Sequence, residues 1–242
     1  MQRFWRIGWF LLVIFALPVQ GAGLPQVIEG VRPSVVGVGT VQQTRRPPAD
    51  FRGSGFVVGD GQHVVTNAHV VPDRLNSQRN EFLAVFAGRG KRFETRRAST
   101  VAVDRVHDLA LLKIEGRPLP ALRLGNSDRV REGESVAFTG FPIGVVLGLF
   151  PATHRGIIAA ITPVAFPVPS AGQLDPALIR ALRDPYDVFQ LDATAYPGNS
   201  GSPLYEADTG RVIGVINKVF VKSTKEAVIQ DPSGITYAIP AR

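Results

Sequence analysis

Pro197-Gly198-Asn199-Ser200-Gly201-Ser202-Pro203 sets one serine inside a glycine-flanked turn just before a short strand. Glycine lacks the Cβ that restricts other residues, so the chain can bend sharply and aim neighbouring N–H groups at one point. A serine hydroxyl at that point can attack a carbonyl, and the amides of Gly198 and Ser200 can hold the resulting oxyanion. Taken alone, Gly-Asn-Ser-Gly is equally a good turn sequence. The rest of the chain decides between the two readings.

Two further runs supply what an attacking serine needs. Val64-Val65-Thr66-Asn67-Ala68-His69-Val70-Val71 is a β-branched strand with a histidine at its end, and His107-Asp108-Leu109-Ala110-Leu111-Leu112-Lys113-Ile114 opens an apolar run with an aspartate. A serine needs a general base titrating near neutrality, and that base needs a carboxylate to fix its tautomer. The chain order His69, Asp108, Ser200 is that of the chymotrypsin class, not of subtilisin or the α/β-hydrolases. An Asp108 buried without partners costs several kcal/mol, so it must meet His69 and backbone N–H groups. Without the other two runs it would read as an aspartate in a surface turn.

The three runs resemble the catalytic blocks of the HtrA (DegP-like) trypsin-fold serine proteases. Gly53-Ser54-Gly55-Phe56-Val57-Val58, Gly140-Phe141-Pro142-Ile143-Gly144, Val212-Ile213-Gly214-Val215-Ile216-Asn217 and Tyr237-Ala238-Ile239-Pro240 resemble its supporting strands and turns. The likeness implies an all-β fold of two six-stranded antiparallel barrels with the site in the cleft between them. It implies His69, Asp108 and Ser200 as catalytic residues and the Gly198 and Ser200 amides as the oxyanion hole. It also implies a pocket built from Thr194 and Ala195, with Ile216, Asn217 and Lys218 as the opposite wall, pairing with the substrate as an added strand. A neutral Thr194 offers no counter-ion to Lys or Arg, so cleavage after aliphatic residues is expected.

Composition agrees with this class. The chain has 242 residues, 45% of them apolar, with 25 glycines and 19 prolines, as befits many short strands and turns. The net charge is +7, and its densest stretch, Arg89 to Arg97, reads as a solvated strand face with no aromatic stacking pattern for nucleic acid. There is no cysteine and the four histidines lack metal-ligand spacing, which excludes disulfides and argues against zinc. No metal or cofactor is implied.

Arg3 and Arg6, the apolar Ile7 to Val19 and the small Gly21-Ala22-Gly23 have the layout of a secretory signal peptide over residues 1–22, with an uncleaved anchor as the alternative. The first barrel is expected over 23–118 and the second over 119–242. Gly59-Asp60-Gly61 marks a hairpin between strands near 56–58 and 63–66. A periplasmic location fits best.

Three departures from the family stand out. No PDZ domain is expected after Pro240, two residues before the last residue of the sequence. Residues 162–187 form an insertion with a short helix from Asp175-Pro176. Ser202 replaces a usual glycine, while Pro197 restricts Tyr196 to extended backbone, which either presets the oxyanion turn or blocks its switching. His154 is a candidate for the cleft. The leading expectation is a secreted endopeptidase acting on unfolded polypeptide, in protein quality control, as a monomer or trimer. A latent protease-fold binding or chaperone-like protein is the alternative. An esterase is distant, since Gly-x-Ser-x-Gly is missing.

Overall fold

A computed structural model describes residues 23–142, 148–164, 185–217 and 235–241. The signal segment, Ile143 and Gly144, Lys218 and the core of the 162–187 insertion lie outside them. Among the described residues twelve strands form two closed barrels. The first holds β1 (Val35–Val41), β2 (Ala49–Val58), β3 (His63–Asn67), β4 (Phe82–Arg89), β5 (Arg92–Asp104) and β6 (Leu109–Ile114). The second holds β7 (Ser135–Gly140), β8 (Ala152–Pro163), β9 (Asp187–Asp192), β10 (Pro203–Glu206), β11 (Val212–Asn217) and β12 (Ile235–Pro240).

The first barrel closes in the order β1-β2-β3-β6-β5-β4, and the second, read from β7, runs β7-β8-β9-β12-β11-β10. The two share one topology although no motif repeats between their sequences. Among the described residues the strand-to-strand pairings are antiparallel, and the β2–β3 hairpin puts Phe56 opposite Val65 and Val58 opposite His63 across the Gly59-Asp60-Gly61 turn.

Strand alternation divides the apolar residues between two uses. Val36, Val38, Val57, Val64, Leu83, Val85, Leu112 and Ile114 fill the first barrel, while Phe138, Ile158, Phe189, Leu191, Leu204, Ile213 and Ile216 fill the second. Opposite faces of the same strands make the seam, where Phe56 meets Val212 and Val215 with Val65 and Leu109 against them. A second seam cluster joins Val35, Ala84 and Phe86 to Ala137, Phe141, Leu149 and Tyr205.

Into that cluster the helix α1 (Leu24–Val31) inserts Val27 and Val31. Its proline in the first turn suits a helix start, because the missing N–H has no intrahelical partner there anyway. The sequence gives little warning of α1, because it directly follows the small residues that read as a cleavage site. Both seams bury apolar surface at about 25 cal/mol per Å², so a site at the seam is assembled only when the barrels are packed together. Among the described residues no helix is long and apolar enough to cross a membrane.

Candidate active site

The histidine is placed by the end of β3. After Asn67 the chain turns into a single 3₁₀ turn, Ala68–Val70, which swings His69 toward the seam. Asp108 lies one residue before β6 with φ +52°. That left-handed backbone is tolerable for aspartate, whose short polar side chain bonds locally. His107 and Asp108 both sit in the turn that precedes β6.

The unusual backbone is held in place from both sides. The Asp108 carbonyl accepts from Ala68 N–H at 3.1 Å and from Asn67 Nδ2 at 3.0 Å. Its carboxylate accepts from His69 N–H at 2.9 Å, from His69 Nδ1 at 2.6 Å and from Asn217 Nδ2 at 2.8 Å. A carboxylate only accepts, so the hydrogen of the neutral imidazole sits on Nδ1 and the Nε2 lone pair is left free. The His69 side chain is 35% exposed against 17% for Asp108, so the ring reaches solvent while its carboxylate partner is largely covered.

Distance alone does not single out this pair. His63 Nδ1 meets Asp60 at 2.8 Å and His107 Nδ1 meets Asp104 at 2.6 Å. In both of those the partners lie three residues apart, and the carboxylates are 57% and 49% exposed against 17% for Asp108. His69 and Asp108 are joined between the adjoining ends of the paired strands β3 and β6, 39 residues apart, and Asn217 ties them to the second barrel.

Ser200 is 7% exposed. Ahead of it Asn199 N–H bonds the Tyr196 carbonyl at 3.0 Å, closing a turn in which Pro197 and Gly198 are central and Gly198 has φ +96°. That is a type II turn, and only glycine adopts its third position without strain. After it Gly201 (φ +86°) donates to the Ile216 carbonyl at 2.9 Å, and Ser54 N–H takes the Ser200 carbonyl at 2.8 Å. A Cβ on Gly201 would lie 2.1 Å from the Ser54 carbonyl oxygen, so no other residue fits. The N–H groups of Gly198 and Ser200 bond no acceptor among the described residues. The turn therefore presents two free amides beside a serine hydroxyl.

The expected pocket residues divide. Thr194 is half-buried at the approach to the turn. Ala195 packs into the second core, its N–H on Thr236 Oγ1 at 2.9 Å. Ile216 differs from the expectation. Its side chain is in the core, its N–H goes to Ser202 at 2.9 Å and its carbonyl accepts from Gly201, so both backbone groups are already engaged within the fold. Asn217 is also not a pocket wall through its side chain, which is fully buried and serves Asp108. Lys218 lies outside the described residues. The signal for Asn217 was a lone polar residue ending the apolar run Val212–Ile216.

His154 packs its ring on Phe138, centroids 4.8 Å apart and planes 21° apart, with Tyr196 at 5.7 Å. Burial holds its pKa below the usual histidine value, and its Nε2 is buried without a partner. It props the residue that begins the turn. Tyr186, which the sequence did not mark, packs its ring against His107 at a tilt of 55°, centroids 4.4 Å apart. Its hydroxyl is pushed well up by burial and by the nearby carboxylates of Asp108 and Asp104. No cluster of three or more His, Asp or Glu side chains with metal-binding geometry occurs among the described residues.

Residues 53–215 match the trypsin-like peptidase domain. A probable periplasmic serine endoprotease, DegP-like, of Pseudomonas putida (strain GB-1) is 32% identical over 206 residues, covering 82% of this chain and 36% of the relative. Its counterpart in Halomonas elongata is 33% identical over 190 residues, covering 78% and 32%. The chain thus spans about a third of the length of these curated relatives. Among solved structures, the HtrA-type protease AlgW with tripeptide superposes at a TM-score of 0.62 and 27% identity, covering 91% of this chain and 60% of that one. Deg5 superposes at 0.62 and 25% identity, covering 89% and 87%.

Proposed function

Because the chain belongs to the trypsin-like peptidase family and to its HtrA type, we propose that it is a serine endopeptidase cleaving unfolded or exposed polypeptide. The observation that carries the reading is the Asp108 carboxylate, which takes three hydrogen bonds, two of them from His69. That arrangement fixes the base with Nε2 free.

The reaction is acyl transfer. Ser200 Oγ attacks the scissile carbonyl while His69 Nε2 takes its proton, and Asp108 stabilises the imidazolium without itself being protonated. The Gly198 and Ser200 amides donate to the oxyanion. His69 returns the proton to the leaving amine, and water repeats the cycle on the acyl-enzyme. Asn217 holds Asp108 from the second barrel. Thr194, uncharged at the pocket entrance, favours aliphatic residues before the scissile bond. The relatives named periplasmic support that location, and a quality-control role there is part of the proposal.

The test is hydrolysis of unfolded casein by the chain beside Ser200→Ala, with the cut sites mapped by mass spectrometry. Turnover lost in the variant and cuts after Val, Ala or Ile are expected. Equal turnover by both proteins overturns the mechanism, and cuts mainly after Lys or Arg overturn the specificity.

A further inference from the structure

Ser54 is fully buried in β2 of the first barrel, yet it touches the serine turn of the second barrel twice. Its N–H donates to the Ser200 carbonyl at 2.8 Å, and its Oγ donates to the Gly198 carbonyl at 2.7 Å. The same Oγ accepts from Phe141 N–H at 3.0 Å. A hydroxyl has one proton, and with Phe141 N–H pointing at the oxygen that proton is committed to Gly198. The residue is itself held, since Thr66 Oγ1 donates to the Ser54 carbonyl at 2.7 Å.

The two residues whose amides find no acceptor among the described residues are thus pinned, through their own carbonyls, by one residue of a rigid strand. We propose that Ser54 is a positioning residue for those two amides, its hydroxyl holding the Gly198 carbonyl so that Gly198 N–H stays aimed beside Ser200 N–H. The proposal rests on reading these amides as the oxyanion donors. Proline at 197 fixes φ on one side of Gly198, and the Asn199 to Tyr196 bond closes the turn on the other. The Gly198 carbonyl is the remaining handle, and Ser54 grips it from outside the loop. Losing the hydroxyl frees Gly198 while Ser200 stays held by the Ser54 main chain.

Removal of an oxyanion donor costs about 10²–10³ in kcat, and a donor loosened rather than removed costs less. Ser54→Ala is expected to lower kcat on casein and the rate of fluorophosphonate inactivation together, by roughly 10- to 100-fold, with KM within about twofold. Ser54→Cys, of similar shape with a weaker donor, should fall between and guards against misfolding of the alanine variant. Thr139→Val removes a comparably buried hydroxyl, bonded to Thr153 and Tyr205, and should lower Tm while keeping kcat. In amide NMR spectra Gly198 should broaden in Ser54→Ala while Ser200 stays sharp.

Unchanged kcat and an unchanged Gly198 resonance in folded Ser54→Ala or Ser54→Cys overturn the clamp, as does an equal loss of kcat in Thr139→Val. A wild-type chain that neither cleaves casein nor takes up fluorophosphonate instead overturns the oxyanion reading beneath it. The two failures are therefore distinguishable.

Discussion

Gly140→Ala tests how tightly the serine turn is backed. Gly140 ends β7, and a Cβ there would lie 1.9 Å from Ser202 Oγ and 2.9 Å from both Asn199 Oδ1 and Ser54 Oγ. All three side chains are fully buried. Ordinary contact starts near 3.4 Å, so the Ser202 hydroxyl has to move by more than an ångström in a packed interior. Overfilling of this kind costs about 1–3 kcal/mol. The strain falls chiefly on one atom, and that atom is dispensable, because Ser202 Oγ has no hydrogen-bond partner. Ser202→Gly should therefore cost little alone and should relieve most of the damage. A double-mutant cycle by urea unfolding, followed by circular dichroism, is expected to give a coupling of about 1–2 kcal/mol. Fluorophosphonate inactivation should slow in Gly140→Ala and recover in the double variant, since Asn199 lies between Gly198 and Ser200. Additive stabilities, within about 0.5 kcal/mol, would refute the reasoning.

Three other perturbations have defined outcomes. Asn217→Ala removes one of three hydrogen bonds on the Asp108 carboxylate. A bond to a charged acceptor contributes about 1.5–3 kcal/mol, so kcat should fall roughly tenfold or more with KM little changed, by casein kinetics. Glu81 accepts from Asn76 N–H, Thr40 Oγ1 and Arg45, in that order of influence, which holds its pKa below 4.5. A depressed carboxyl stabilises above its unfolded value and loses that contribution as pH falls through the folded value. Glu81→Gln should thus lower Tm at neutral pH, with the difference from wild type closing as pH drops below about 4.5. His154→Phe replaces a ring with an unpartnered buried nitrogen, stacked on Phe138, by an apolar one. It should raise stability by about 1 kcal/mol. Because burial lowers the His154 pKa from 6.5, wild-type stability declines as pH falls below that value, so the gain should widen toward pH 5 in thermal melts.

Much of this arrangement was legible before any coordinates. The hairpin at Gly59-Asp60-Gly61 and the strand positions followed from β-branched alternation and turn residues, which are local signals. The start of β2 was harder, because Ala49 to Gly55 carries no β-branched alternation to mark a strand. There glycine is required by close approach, a Cβ on Gly53 lying 2.6 Å from Val70 and 2.9 Å from the Ser200 carbonyl. The helix α1 was lost against the neighbouring signal-like segment.

At the site, the residues expected as base, orienting acid and nucleophile sit at element ends that the sequence marks. What was not legible was how their partners are shared across the seam. Asn217 looked like a pocket wall and turned out to hold Asp108. Ser54 looked like a strand residue and turned out to hold the turn. Both contacts join residues more than a hundred positions apart, at 2.8 and 2.7 Å. Neither local propensity nor periodicity carries that information.

The most direct test of the account is where a fluorophosphonate bonds to the folded chain. Peptide mapping should find a single adduct, on Ser200. It should be absent in His69→Ala and slowed by about 10⁴-fold in Asp108→Asn, where the tautomer is lost. An adduct on another residue, or labelling of Ser200 at the wild-type rate without His69, would contradict it.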